Sequence, residues 1–342
     1  MDFRFQYWLA GWNALHGVTP YPTLHATLNG VAAFPYPAST AIFFVPFALL
    51  PQGISGDLFT AVCLSAPLIT LWVLRVRDWR LYGLVMLLGP VVAGWQTANL
   101  TLLLGLGLAC LWRFRDRPVC AGVLAALLVS LKPFLWPVLL WLAVTRRWRA
   151  AFWAMAAGAV IQILSWGIVG FDQIPRFIQA TLSVTHLLRG WGYSVASTAM
   201  QLGAGSALAS VLAIAVPALL ALALLVHGFR SHAEPAGLVL VVALAICASP
   251  IVWTHYFALF VVPIAVLAPR LSLLWACLLP MWACPVTTPR PWQSALALLT
   301  FAGLVCLLLW VAQPGALGRR AFVLARVRSP LAEPNPVAAT DG

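Results

Sequence analysis

Acidic residues are nearly missing from this chain: eight Asp and Glu stand among 342 residues, against twenty Lys and Arg. Charge of either sign is scarce, at 8% of residues, where a soluble globular domain carries about a quarter. Lysine is rarer still, since Lys132 is the only one. The cysteines at 63, 110, 120, 247, 277, 284 and 306 form no CxxC and no Cys/His spacing. That excludes a thiol redox pair or a zinc ribbon and leaves small buried hydrophobes as the reading. No basic segment followed by an apolar core stands at the start, so no cleavable signal peptide is expected.

What fills the chain instead is apolar: 63% of residues are hydrophobic and seventeen are Trp, and the mean hydropathy is +0.95. Lipid is therefore the solvent of this fold, with Trp rings suited to the interfacial belts of a bilayer. A net charge of +12 would suit nucleic acid if the basic residues lined one face. They fall in short clusters between apolar runs, so no nucleic-acid partner is expected.

Apolar runs near spanning length lie at 57–74, 80–94, 97–112, 118–131, 133–145, 150–170, 206–226, 235–249, 251–268, 271–287 and 292–312. The expected fold class is all-α: a polytopic membrane protein of about 10–12 transmembrane helices, the shorter runs tilted or kinked. The expected organisation is an outward-facing juxtamembrane region over 1–37, a helical membrane domain over 38–312 and a disordered cytoplasmic tail over 313–342. The run at 38–51, broken by Pro46 and Pro51, is too short to span and is read as re-entrant or surface-lying.

Arginine orients these runs. The clusters are Arg75, Arg77 and Arg80; Arg113, Arg115 and Arg117; Arg146, Arg147 and Arg149; Arg230 with His227 and His232; Arg270; and Arg319, Arg320, Arg326 and Arg328. An even number of apolar runs separates each successive pair. All six clusters then share the cytoplasmic side, as the positive-inside rule asks. The turns at 95–99, 131–133, 171–205, 249–256 and 288–291 face outward.

Those outward turns hold the polar groups that topology leaves unexplained. Lys132 lies in LVSLKPFLWP, between two apolar runs. An ammonium at such depth marks a functional site by default; the alternative is a side chain snorkelling to the interface. His255, in ASPIVWTHYFALF, starts a helix after Ser249-Pro250. Gln96 and Asn99, three residues apart, would share a helical face, as catalytic groups or as interhelical glue. Asp78 and Asp116 sit within Arg clusters and read as neutralised. Asp57 follows Gly56 and reads as a helix cap. Asp2 and Asp172 remain as outward carboxylates for a general base. Lys132, His255 and Arg189 remain as cations for a departing phosphate. One acid, several cations and many aromatics suit an anionic lipid carrier bearing a sugar.

Several short elements occur in a fixed order. The start reads Asp2-Phe3, Tyr7, Ala10, Leu15, Gly17 and Pro20-Tyr21; then come Phe34, Tyr36 and Pro37, and PFALLP at 46–51. Further on stand Gly94, Gln96 and Asn99; Ala121-Gly122; Leu131-Lys132-Pro133; and Ser249-Pro250-Ile251, Trp253 and His255-Tyr256. In this set the chain resembles glycosyltransferase family 87. These are multispanning enzymes of the GT-C class that include polyprenol-phosphate-mannose-dependent α-mannosyltransferases. Ala38 stands where the family has a second Pro, and Gly192-Tyr193-Ser194 stands where an Asn-Gln-Ser-like element is usual.

The resemblance implies a further helix before the Asp-Phe motif, which this sequence does not contain. It implies Asp2 as the general base, His255 and Lys132 on the donor phosphate with Gln96 in support, and Asn99, Tyr21, Tyr36 and Arg189 in the substrate site. The expected partners are membrane lipid, a polyprenyl-phosphate-linked sugar and a glycolipid or glycan acceptor. No cofactor and no metal are implied, and a bacterial inner membrane with the site facing outside is the expected location. Two other readings stand beside it. A transporter or flippase of lipid-linked sugars would show an internal repeat and mid-helix charge, and neither is found. An inactive GT-C-like scaffold would keep the fold without the chemistry.

Overall fold

The computed structural model describes residues 3–22, 34–230 and 234–313. Asp2, His232, the Arg residues after 313 and the tail expected over 313–342 (Gln313 apart) lie outside the described residues. Among those described, every regular element is helical.

The chain opens with a wide π-helical turn, Phe3–Trp8, that runs into α1 (Leu9–Leu15). The helix α2 (Ala38–Ala48) follows, and then α3 (Gln52–Val73). At 11 residues α2 is about 16 Å long, half the thickness of a bilayer core. Gly11 lets α1 lie directly on α2: a β-carbon there would stand 2.6 Å from the Phe44 carbonyl oxygen. Asp57 is not a cap, because α3 begins five residues earlier, at Gln52 after Pro51. Asp57 sits exposed in the helix interior, and the Gly56 before it is absorbed into the helix.

Next come α4 (Arg80–Met86), α5 (Gly89–Gln96), α6 (Thr101–Arg113) and α7 (Pro118–Leu131). Then α8 (Pro137–Val144), α9 (Trp148–Val169), the amphipathic α10 (Ile174–Leu187), α11 (Val195–Gln201) and α12 (Ser206–Arg230) follow. The chain finishes with α13 (Glu234–Ala248), a 3-10 helix at Thr254–Phe260 leading into α14 (Val261–Leu267), the one-turn α15 (Leu273–Ala276) and α16 (Pro291–Ala312).

Helix length separates two classes. Four helices, α3, α9, α12 and α16, have 22 to 25 residues and are apolar enough to cross a bilayer. At about 33–37 Å they match its core. They leave large apolar side chains bare, among them Trp72, Ile214 and Leu299, each more than 70% exposed. Lipid is the partner that makes such exposure favourable. The other class is short: α6, α7 and α13 have 13, 14 and 15 residues. Some of the shorter apolar runs are broken as expected: the 80–94 run divides between α4, ending at Met86, and α5, starting at Gly89. The α13 helix is buried nearly throughout. At the α7–α9 crossing a β-carbon on Gly122 would meet the Ala150 carbonyl oxygen at 2.7 Å, so only glycine permits the approach.

The short helices end where the long ones continue. Cys63, eleven residues into α3, hydrogen-bonds the Asn99 carbonyl at the start of α6. Gln162 of α9 donates to the Ser39 hydroxyl, which donates to the Ser130 carbonyl at the end of α7. The α3 helix therefore runs about 16 Å past the Asn99 turn, and α9 about 10 Å past Ser130. Between them stands α2, which touches both, with Phe3 and Phe44 packed on Phe59 of α3, and the ends of the short helices lie beneath.

Candidate functional site

Beside α3 the chain turns from α5 into α6 through Ala98, whose φ of +48° is left-handed. That conformation closes α5 from both sides, with the Ala98 and Asn99 amides donating to the Trp95 and Gly94 carbonyls. It also throws Asn99 inward and leaves Gln96 exposed on the last turn of α5. The shared face expected for Gln96 and Asn99 does not form, because the helix ends between them.

Asn99 is buried, and its Oδ1 gathers three donors. It accepts from the Thr101 amide at 2.9 Å, the Thr101 hydroxyl at 2.8 Å and the Lys132 ammonium at 3.0 Å. The first of these caps α6. The Lys132 Nζ also donates to Thr101 Oγ1 at 3.2 Å. Lys132 is 1% exposed, so snorkelling to an interface does not describe it. The ammonium lies 4.9 Å from the Tyr256 ring centre and 5.5 Å from that of Tyr36, within range of cation–π attraction.

Two hydroxyls steady the Lys132 turn: Ser39 and Thr40 of α2 donate to the Ser130 and Leu131 carbonyls at 2.5 and 2.7 Å. The first turn of α2 thus locks the last turn of α7.

His255 stands next to Tyr256 in the 3-10 helix and is completely buried, and the charge of Lys132 acts on it. Both of its ring nitrogens lack a hydrogen-bond partner among the described residues. A buried imidazole with neither nitrogen bonded is an exception that asks for a functional reason. The segment carrying it is tied down by Thr254 Oγ1 to the Pro285 carbonyl at 2.7 Å and by the Tyr193 amide to the Val252 carbonyl at 2.8 Å. The Tyr193 hydroxyl reaches the same Pro285 carbonyl at 2.8 Å. Tyr193 is the residue standing where the Asn-Gln-Ser-like element was sought.

The aromatic residues divide. Tyr36 joins the cluster, its hydroxyl 3.5 Å from that of Tyr7. Tyr21 is fully buried among Phe34, Trp166 and Phe177, and its hydroxyl donates to the Tyr36 carbonyl at 3.1 Å. It acts on the cluster through Tyr36. Arg189 belongs elsewhere: its guanidinium donates to the Ser206 carbonyl and the Ser210 hydroxyl in the first turns of α12. Asp172 lies exposed in a 3-10 turn, Phe171–Gln173, that precedes α10. Asp2 lies outside the described residues. Its neighbour in sequence, Phe3, is buried against Phe44, Phe47 and Phe59.

Sequence reasoning missed Thr101, Tyr256, Ser39 and Thr40. Thr101 had a signal: an Asn two residues before a Thr that opens an apolar run reads as a cap. Ser39 and Thr40 had none, since their partners lie 91 residues away.

The opposite end of the same helices is built from ion pairs. Glu234 accepts from Arg115 at 2.6 Å and from Arg147, and Arg147 also donates to Asp116 at 3.0 Å. This joins the second and third Arg clusters. Asp78 pairs with Arg80 at 2.9 Å and accepts from the Leu271 amide at 2.9 Å, joining the first cluster to the turn carrying Arg270. The second and third clusters are thus in contact, and the first meets the turn beside Arg270. The Arg80 guanidinium holds the Asp78 carboxyl down at about 2.

Long lipid-facing helices around a buried polar cluster define a polytopic all-α membrane protein. A family model described as glycosyltransferase family 87 matches residues 34–250, well over half of the chain, and the chain belongs to that family. No curated protein and no solved structure gives a match. The protein is therefore a membrane glycosyltransferase, acting between a sugar donor and an acceptor. The matched span takes in Tyr36, Gln96, Asn99, Lys132 and Arg189 and ends just short of His255.

Proposed function

We propose that the protein transfers a hexose, mannose being the first candidate, from a polyprenyl-phosphate sugar to a lipid or glycan acceptor. The observation that carries this reading is the buried His255, on which the charge of buried Lys132 acts and whose two ring nitrogens are unbonded among the described residues. A phosphate on a hydrocarbon carrier suits this site: its oxygens accept from the imidazole beside the Lys132 charge, and its chain stays in the bilayer.

The reaction is a single displacement. Asp2 takes the proton of the acceptor hydroxyl, and the freed oxygen attacks the anomeric carbon. The bond from that carbon to the phosphate oxygen breaks, and the electron pair leaves on polyprenyl phosphate. Lys132 and His255 stabilise the charge on that oxygen through donors already fixed in place. Attack opposite the leaving group inverts the anomeric centre. The chemistry assigned to these residues calls on no cofactor and no divalent metal. With the Arg-rich end in the cytoplasm, the end that carries Lys132 and His255 lies toward the outside, and in a bacterium the membrane is the inner one.

The test is transfer by the purified protein in nanodiscs. Polyprenyl-phosphate mannose should serve as donor and a nucleotide sugar should not, and Lys132→Ala and His255→Ala should each lower transfer. Use of the nucleotide sugar, or indifference to both substitutions, rejects the reading. A flippase would instead move the lipid-linked sugar across the bilayer without forming a glycosylated product.

A further inference from the structure

Two cavities on the far side of the 3-10 helix are unused by this chemistry. One, of about 410 Å³, is walled by apolar groups of four helices: Ala199 of α11 with Leu202 just past its end, Leu212 and Val216 of α12, Ile246 of α13, and Leu298 and Phe301 of α16. The other, of about 400 Å³, is lined by Thr185, His186, Arg189, Ser194, Ser210 and Ser249. Val195 and Cys247 line both, so the two form one crevice with a polar compartment and an apolar one. Each is the size of a small-molecule pocket.

The compartments are ordered along α12. Arg189 bonds Ser206 and Ser210, in the first turns of this lipid-facing helix. The apolar slot follows at Leu212 and Val216, reaching about 15 Å beyond Ser206. Leu202 and Leu298 line the slot and are both 46% exposed, so it opens sideways toward lipid. Among the described residues no carboxylate pairs with Arg189, whose bonds go to a carbonyl and a hydroxyl. A guanidinium held by neutral groups at a helix start, above an apolar slot, complements an anionic headgroup followed by a hydrocarbon chain. Phe257 lines the slot whereas Tyr256 faces Lys132, so one 3-10 helix separates the crevice from the polar cluster.

We infer that this crevice binds a second lipid, an anionic phospholipid of the surrounding bilayer, with its phosphate on Arg189 and one chain in the slot between α11, α12 and α16. The site is separate from the one proposed for transfer, and its occupant would buttress the 248–256 segment that carries His255, since Cys247 and Phe257 at its two ends both touch the slot.

Native mass spectrometry of the delipidated protein, titrated with dioleoyl phosphatidic acid or dioleoyl phosphatidylcholine, tests this without reference to activity. The wild type should retain one phosphatidic acid that Arg189→Gln binds about tenfold or more weakly, the scale of one charge-assisted bond. Ala199→Trp should lose it by filling the slot; Val216→Phe is a smaller filler if that variant does not fold. Lys132→Ala should bind it as the wild type does, and equimolar inorganic phosphate should not displace it. Equal retention by Arg189→Gln overturns the inference, as does equal retention of phosphatidylcholine. Displacement by inorganic phosphate reduces the site to an anion site without a chain, and parallel loss in Lys132→Ala merges it with the transfer site; either result refutes the proposal.

Discussion

The two ends of this helical bundle handle charge in opposite ways. At the Arg-rich end, Asp78, Asp116 and Glu234 each meet an arginine, and every pair joins two parts of the chain or closes a turn. At the other end, among the described residues, Lys132 donates to the oxygens of Asn99 and Thr101, and His255 keeps two unbonded nitrogens. A carboxylate on a cation satisfies it and locks structure. A buried imidazole with neither nitrogen bonded is left to meet a partner from outside the chain. The difference teaches that one end is built to hold the bundle and the other to act.

The largest effect should come from Asp2→Asn, which keeps the shape and removes proton acceptance. Transfer should fall by about two to four orders of magnitude, the range for losing a general base, while donor binding persists. If Asp172→Asn abolishes transfer and Asp2→Asn does not, the assignment of the base to Asp2 is wrong. Lys132→Ala and His255→Ala should come next, each lowering transfer about ten- to a hundredfold, as one charge-assisted bond to an anion requires. Arg290→Ala, at an exposed outer turn, should do little. Equal losses at all three would mean diffuse electrostatics and dissolve the contrast between the ends.

At the Arg-rich end the readout should move from activity to stability. Glu234→Gln should destabilise the protein by about 1–3 kcal/mol, the cost of weakening a hydrogen-bonded ion pair, with transfer by the folded protein unchanged. Asp78 offers the same test by pH. Its folded carboxyl is held at about 2, below its unfolded value of about 3.9. Its contribution to stability is therefore complete above pH 4 and is lost as pH falls through 2. The difference in Tm between wild type and Asp78→Asn should be constant above pH 4 and vanish near pH 2. A difference that persists at pH 2 means the carboxylate is not its source.

Much of this was legible in sequence, and the boundary is physical. The helical membrane class and the four long spans follow from the cost of charge in lipid, which acts residue by residue. Two readings failed for a shared reason. Asp57 read as a cap, and Gln96 with Asn99 as one face, because local pattern does not say where a helix starts and stops. That α3 overshoots the Asn99 turn depends on Cys63 meeting a carbonyl 36 residues away. Arg189 was grouped with the other cations because it lies in an outer segment, and nothing local says that its partners are on α12.

The finest test compares the same strained cap at both ends. Arg75, Ala98 and Arg146 have φ of +58°, +48° and +58° just past a helix end, where glycine is the usual residue. A left-handed side-chain residue costs about 1–2 kcal/mol, so replacement by glycine should recover a large part of that. Arg75→Gly and Arg146→Gly should raise stability and leave transfer alone, since their turns only close the Arg-rich end. Ala98→Gly should also raise stability. Its turn, however, aims Asn99 at Lys132, and glycine widens the conformations that turn can sample. Transfer should then fall a few fold, with the loss in kcat and little change in KM if the ammonium is misaligned at the moment of bond breaking. Were all three variants simply more stable and equally active, the strain at Ala98 would be an ordinary helix ending. Strain kept beside the reacting groups and removable without penalty at the far end would tie the asymmetry of the molecule to its chemistry.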